Sequence, residues 1–542
     1  MGLGEFVAVT VFGLGGSAKI VAAAIEAALS IGLSTASKAL AGKPKAAERP
    51  GRSTNVRSTT MAHQVVLGQA RKGGLLAYVN GTGEKNKFLH NIIILAAHEC
   101  DSITELYISG QLVTVDANDS GNVSEPSNSS DKSYHDYAWL APYLGTSSQS
   151  ADANLVSETA TTTGSWTANH RLRGRCYIYG KFRESPARYG GIPAVTATIK
   201  GVNQIFDPRA NSGSGATGWT DNPALQAAWI AETYLKIPRA RIDVTALTAA
   251  ANVCDETVAL KAGGTQKRYT SNGYIDLEGD PANWLEPIIA SMAGAFIEHG
   301  GTYFIHAGKY TSSVLTITDD DFIGSGDITV RTSQSSIERA NTIKGLYVGP
   351  GSFDQPTEFP IVVDSAMLTE DGNITKTRDL DGELEFCNTH QQAQRVAKIM
   401  LRRQRHAKAF TCDVHLRVGL DIKPWDLITV TSLALGITGT YKVMSHILIT
   451  EDSGPAAFVR LSLQEYASSI YDWTASTDEQ DNADIALNLP NNESTPAVQV
   501  HSAGDSVSVP SSGVDNDTGN VGDIVIDLED SKIYRKKGAF GS

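Results

Sequence analysis

The stretch QQAQRVAKIMLRRQRHAK, residues 391–408, gathers Arg395, Lys398, Arg402, Arg403, Arg405 and Lys408 on a chain with a formal net charge of -13. Cations at such spacing could hold a phosphate backbone, because neutralising phosphates with Lys and Arg is what supplies most non-specific nucleic-acid affinity. The acidic balance of the whole chain opposes that use, since its field repels a polyanion. Ala393, Val396, Ala397, Met400 and Leu401 recur at helical spacing and form a core-facing stripe. The cations then fall mostly on the opposite face, where long charged side chains are ordinarily solvated, and those near the C-terminal end complement the helix dipole. No aromatic residue interleaves with them, so a stacking platform for single strands is missing. Arg395, Lys398, Arg402, Arg403 and Arg405 are therefore candidates to face a lumen, a passing polyanion or an acidic protein neighbour, and base-specific recognition is not expected.

Other constellations carry less. Asp319, Asp320 and Asp321 could be imagined as a metal or glycosidase carboxylate group, but three acids between strands fit an exposed turn better. His98 and Glu99 follow an apolar run, which marks His98 as a strand-end side chain satisfied locally. The sequence holds no G-x-S-x-G, no H-E-x-x-H, no Walker P-loop and no G-x-G-x-x-G between a strand and a helix. No catalytic, cofactor or metal-ligating residue is assigned. Five dispersed cysteines, without C-x-x-C, read as buried free thiols from a reducing compartment. The acidic clusters together with Tyr134, Tyr137 and Trp139 leave one enzymatic alternative, a β-rich carbohydrate-active hydrolase.

The elements that must position these residues are mostly strands. A chain of 542 residues exceeds one compact core, and 50 glycines among many Ser, Thr, Asn and Asp indicate the tight turns of a β-rich protein. Residues 5–40 are rich in Ala, Gly and aliphatics, but Lys19 and Glu26 interrupt them, and neither part reaches the roughly 18 to 20 apolar residues that span a bilayer. A small-residue helix over about 20–40 is expected there, self-packing or membrane-contacting through Ile20, Val21, Ile25 and Leu29. From residue 62 alternation sets in, and NIIILAAHEC is an apolar run of strand length suited to the middle of a barrel or sandwich. Residues 117–170 turn polar and read as an insertion. NPALQAAWIAETYLKI, with Asn222 as cap and Pro223 at the first position, DVTALTAAANVCDETVAL and DPANWLEPIIASMAGAFIEHGG are three helices among strands. The basic helix follows, then four strands to about residue 466, and after Trp473 a polar tail ends in VGDIVIDLEDSKIYRKKGAF, a hairpin-like pair. The fold class is α+β, a β-rich multidomain chain with barrel-like domains and an intervening helix-containing region. Its expected divisions are 1–58, 59–206, 207–385, 386–473 and 474–542.

The order of these pieces resembles the N-terminal hub portion of the tail tip attachment protein J family of lambda-like long-tailed bacteriophages. The resemblance rests on RLRGRCYIY, NPALQAAWIAETY, the strand, helix and strand of YTSNGYIDLEGDPANWLEPIIASMAGAFIEHGGTYFIHAG, SSIERANTIKGLYVGP, and the basic helix running into DVHLRVGLDIKPWDLITVT. It covers about residues 60–475. Pro424, Trp425, Asp426 and Ile428 stand where that family has Pro-Gly-Asp before Ile or Val, so the turn at Trp425 is expected to differ. The resemblance implies a non-enzymatic homotrimeric hub at the distal tip of a virion tail, with two barrel-like domains per chain making a ring of six. Its implied partners are distal tail and tip proteins, the tape-measure protein and transiently passing phage DNA; beyond the stretch it covers, tail fibres at the C-terminus and host-membrane contact by the N-terminal segment are separate expectations.

Overall fold

The computed structural model describes residues 55–482 apart from 58–60, 117–119, 125–133, 187, 190, 279–281, 324–327, 332–338, 350–354, 381, 407 and 451–456, together with 498–501, 524–527 and 532–535. The segment holding Ile20, Val21, Ile25 and Leu29 lies outside the described residues. Contacts divide the chain into residues up to Asn482 and a C-terminal unit, Ala483–Ser542. In the C-terminal unit Ile524–Asp527 pairs antiparallel with Lys532–Arg535 and parallel with Val498–His501.

The first unit begins at a corner. Strand β1 (Gln64–Leu67) is buried along its whole length, and β2 (Gln69–Lys72) follows after a single residue. That residue is Gly68, at φ +61, where a Cβ would stand 2.3 Å from the Ser271 carbonyl oxygen. Only glycine meets both demands at once. Because strand side chains alternate, Val65 and Leu67 enter a central core while Val66 enters a second core on the other side.

The second core lies within a two-sheet sandwich. Strands β3 (Leu75–Thr82), β4 (Phe88–Ala96), β5 (Cys100–Ile108), β6 (Ala138–Tyr143), β7 (Cys176–Arg183) and β8 (Val195–Val202) supply most of it. One sheet orders β3, β4, β7 and β6 with two short edge strands; the other orders β2, β8 and β5 with one. Ile93, Leu95, Ile178 and Phe182 point between the sheets toward Leu106, Ile108, Ala197 and Ile199. On the outer face of the first sheet Ile92, Tyr177 and Tyr179 are also buried, under Leu155 and Trp166. Leu155 belongs to helix α1 (Ala153–Thr159), which Asp152 caps at the Leu155 N–H, 2.7 Å. Burial on both faces is why the β4 sequence is continuously apolar. It also means that residues 117–170, polar enough to read as an insertion, contribute an interior strand and its cover.

Between the sandwich and the last sheet lies the central core. It contains helices α2 (Pro223–Thr233), α3 (Val244–Asp255) and α4 (Ala282–Ser291), the first two capped by Asn222 and Asp243 as their sequences indicate. Strand β9 (Gly273–Asp276) pairs with β1, and β10 (Ala295–His299) forms a hairpin with β11 (Thr302–His306). Then come β12 (Leu315–Thr318), β13 (Thr342–Val348), α5 (Ser365–Glu370) and α6 (His390–Arg405), the basic helix. The last sheet orders β12, β15 (Leu427–Ser432), β16 (Ile437–Thr450), β17 (Ala457–Glu465) and β14 (Ala409–His415), with a short edge strand beside β14.

The α+β, β-rich class is as expected. Among the described residues, however, none of these sheets closes on itself, so the barrel-like regions are open sheets. The first buries its facing side against a second sheet, a solution that needs no closure.

Gly201 of β8 sets the spacing of the first junction, since a Cβ there would lie 1.9 Å from the Val66 carbonyl oxygen. Gly201→Ala is expected to cost about 2 kcal/mol or more by overpacking, read as a lowered thermal midpoint, whereas Gly218→Ala, with nothing within 4 Å and no left-handed backbone, should leave that midpoint nearly unchanged.

Candidate functional site

Helix α6 starts where the Thr389 hydroxyl accepts the Gln392 N–H, 3.3 Å. Every residue from Gln392 to Leu401 is buried, including the polar ones. One side meets the central core through Ala393, Val396, Ala397, Met400 and Leu401, as the apolar spacing indicates. Gln392 extends that side: its Oε1 accepts the Thr270 N–H (3.2 Å) and hydroxyl (2.8 Å), and its Nε2 donates to the carbonyls of Thr270 (2.7 Å) and Ser291 (2.9 Å).

The cations are not solvated, which corrects the reading of a free basic face. Arg395 is 3 % exposed; it donates to the Arg268 carbonyl at 2.9 Å, and turning the Gln266 carboxamide oxygen toward it adds bonds of 2.6 and 3.0 Å. Burial pulls its pKa down to about 10. Lys398 reaches Asp478 at 2.6 Å. Arg402 binds Asp364 at 3.1 Å and the carbonyls of Ser469 (2.6 Å) and Asp472 (3.0 Å). Arg403 donates to the Ala293 carbonyl at 2.5 Å and the Tyr471 hydroxyl at 2.8 Å. Arg405 forks onto Asp371 at 3.0 Å and touches Glu370 at 2.9 Å. That guanidinium is the main reason the Asp371 carboxyl sits at about 2, below its ordinary 3.8. Lys408, beyond the helix, is more open and faces Glu465 at 3.4 Å.

The physical reason for the difference is a strap that periodicity could not reveal. Residues 468–482 return along the outer side of α6. Trp473 lies beneath the charges of Lys398 and Arg395, 5.7 and 5.9 Å from its ring centre. Gln394 and Gln480 exchange two bonds, the side-chain Nε2 donating to the Gln480 carbonyl (2.9 Å) and the Gln480 N–H to Oε1 (2.8 Å). Farther along, Glu479 accepts the Lys261 N–H at 3.0 Å, and Asn482 donates to the Tyr347 hydroxyl at 2.9 Å. A weak sign of the strap stands in the sequence, a tryptophan followed by acids at 478, 479 and 481 just past the last strand.

From the strap's Tyr471, Arg403, Tyr466 and Lys442 continue a partly buried chain of polar contacts that reaches the last sheet. Tyr466 and Tyr471 share a hydroxyl bond, and Lys442 donates to Tyr466 at 3.1 Å while lying 3.2 Å from the Trp425 ring centre. Trp425 has φ +77. The turn therefore keeps a left-handed conformation suited to glycine, and a tryptophan occupies it at a cost of about 1–2 kcal/mol.

The remaining candidates are structural as well. Asp319 accepts the N–H groups of Leu433 (2.9 Å) and Ala434 (3.3 Å) and the Ser432 hydroxyl, while Asp321 accepts the Thr318 N–H at 3.0 Å and pairs with Arg417 at 2.8 Å. Two of the three acids thus close turns. His98 accepts the Val66 N–H at Nε2, 2.9 Å, with Nδ1 set against the Glu99 carbonyl, and burial lowers its pKa to about 4, keeping it neutral. Tyr134 is buried on Tyr189, and Tyr137 and Trp139 lie under Arg188 and Lys181. The five cysteines are free and buried. Among the described residues no three His, Cys, Asp or Glu side chains stand where they could hold a metal ion, and no helix is long and apolar enough to cross a membrane.

Residues 280–445, which run from the entrance of α4 through α6 into β16, match the Phage-tail_3 family model, described as a putative phage tail protein. No curated protein matches the chain. A solved chain from the virion of a native gene transfer agent particle is similar over 84% of this chain and 99% of its own, with 14% identity and a TM-score of 0.51, a likeness of fold. The tail protein from Neisseria meningitidis MC58 aligns with 76% of this chain and 99% of its own at 13% identity and a TM-score of 0.32. The 43 kDa tail protein of prophage MuSo2 from Shewanella oneidensis aligns with 76% and 100% at 11% identity and a TM-score of 0.29.

Two outcomes are expected from this geometry. Asp478→Asn leaves Lys398 buried without its carboxylate and should cost the strap about 3 kcal/mol, read as faster amide exchange over 468–482 with the sandwich unchanged. Because the folded pKa of Asp371 is depressed, its contact with Arg405 contributes stability above pH 3.8 and loses it as the pH falls toward about 2. Asp371→Asn should therefore lower the thermal midpoint at neutral pH and flatten its decline across that acid window.

Proposed function

We propose that this chain is a structural, non-enzymatic component of a phage-type tail and that it forms the central hub at the tail's distal tip. The observation that carries the reading is the family match over 280–445, which includes the buried basic helix, within a fold shared with a gene transfer agent virion chain over 84% of this chain. The placement of the cations supports a structural role. A surface that gathered DNA would present them to solvent, whereas here they join α4, α5, the strap and the last sheet into one body. DNA passing such a hub would meet the chain's acidic surplus, which favours release over retention.

In this reading three copies assemble, and the two β-rich parts of each chain together make a ring of six that matches a six-fold tail. The parts are those expected from sequence, 59–206 and 386–473, separated by 207–385. The tape-measure protein would end at this ring, distal tail and tip proteins would flank it, and a tail fibre would dock at 474–542. Residues 1–58, with Ile20, Val21, Ile25 and Leu29, would contact the host membrane upon ejection. Leu433, 90% exposed at the tip of the β15–β16 turn, is an apolar side chain suited to a protein neighbour.

Light scattering on the purified 57.7 kDa chain is expected to return three times that mass, with three-fold or pseudo-six-fold rings in negative stain. A chain that stays monomeric at high concentration, and is absent from tail tips purified from virions, would overturn the hub reading.

A further inference from the structure

At the β1–β2 corner a lysine is buried without a carboxylate as its hydrogen-bond partner. Lys72 is 0 % exposed; its Nζ donates to Oε1 of Gln64, itself 5 % exposed, and lies 4.7 Å from the Tyr274 ring centre. On the other side of the same carboxamide, Gln64 Nε2 donates to Asp276 Oδ1 at 2.7 Å. The register places Gln64 opposite Asp276, and β2 pairs with β8 at Lys72. An amine, a carboxamide and a carboxylate thus stand in a row inside the protein, across the junction of the sandwich and the central region.

We propose that Gln64 and Lys72 become joined by an intramolecular isopeptide bond that the fold itself forms. The neutral Lys72 Nζ attacks Gln64 Cδ, a new C–N bond forms, the bond from Cδ to Nε2 breaks, and ammonia leaves. The proton that Nζ sheds passes by way of Gln64 Oε1, its hydrogen-bond partner, to Asp276 on the other side of the carboxamide, which delivers it to the departing Nε2. Carboxamide and amine become a secondary amide and ammonia, so atoms and charges balance with no oxidant, nucleotide or enzyme.

Three features favour the step. Holding both reactants in one enclosed site replaces a bimolecular encounter by an intramolecular one, a large rate advantage. Exclusion of water keeps the amide from hydrolysis. Burial also favours the uncharged amine, and the Lys72 pKa falls to about 8, with Asp276 opposing the shift. The product would fasten β1, which pairs with β9, to β2, which pairs with β8, across Gly68. A separate role for Gln64, as a neutral bridge between a buried ammonium and Asp276, predicts no bond.

Peptide mapping of the full-length chain distinguishes the two. Trypsin cuts after Arg57, Arg71, Lys72 and Lys85, but not after an acylated lysine. The expected product is a branched peptide in which 58–71 is joined to 72–85, lighter than the two together by one ammonia. Recovery of 58–71 with its glutamine amide intact, separate from 73–85, in protein that has stood folded for days overturns the proposal. Asp276→Asn keeps an acceptor for Gln64 but cannot carry the proton, so the branch should be lost or slowed at least tenfold. A branch that forms in this variant at the wild-type rate overturns the role of Asp276. Lys72→Arg must give no branch, and a branched mass found there would assign the signal to another pair and overturn the linkage.

Discussion

The burial of a cationic helix is the constraint on which the organisation of this chain depends. A guanidinium or ammonium taken out of water costs several kcal/mol unless charged or carbonyl oxygens surround it. Helix α6 brings Arg395, Lys398, Arg402, Arg403 and Arg405 into or beside the core, so the chain must deliver acceptors from elsewhere. It does so with Gln266 and Arg268 from one short hairpin and its end, Ala293 from the end of α4, Asp364 to Asp371 around α5, and Ser469 to Asp478 from the strap. Segments more than one hundred residues apart are thereby held to one helix. Arginine suits the task better than lysine, because its planar fork can satisfy two or three acceptors in fixed directions.

Two other joints transmit that order outward. At one, β1 is buried on both faces, with Val66 in the sandwich and Val65 and Leu67 in the central core, so neither body can shift without exposing aliphatic surface. At the other, the chain of Arg403, Tyr471, Tyr466 and Lys442 ends on the Trp425 ring. The strained backbone of Trp425 is held there by its N–H bond to the Val443 carbonyl, 2.7 Å, and by the Lys442 charge above its ring. Strain of this size persists only where the surroundings over-determine the conformation.

For the proposed tail role these features share one consequence. The hub proposed above would pass load between neighbours without unfolding, and it would gain from bodies stapled by buried polar contacts whose geometry is specific. An acidic surplus on a chain whose α6 cations are occupied internally is compatible with DNA travelling past.

What the sequence by itself determined was local. The caps at Asn222 and Asp243, the apolar stripe of α6, the interior character of β4 and the predominance of strands follow from periods of 3.6 and 2 and from turn residues, each set within a few neighbours. That the acids near 320 lie in a turn between strands is of the same local kind, but the partners of Asp319 at 432–434 and of His98 at Val66 are not. What only the tertiary structure decided was every relation between distant segments. The partners of the five cations, the strap, the strand hidden in polar residues 117–170, the pairing of Gln64 with Asp276, and the open rather than closed sheets are of this kind. Periodicity tells which face of an element avoids water. It carries no information about which remote carboxylate or carbonyl will meet a cation, because that is settled by the packing of whole elements.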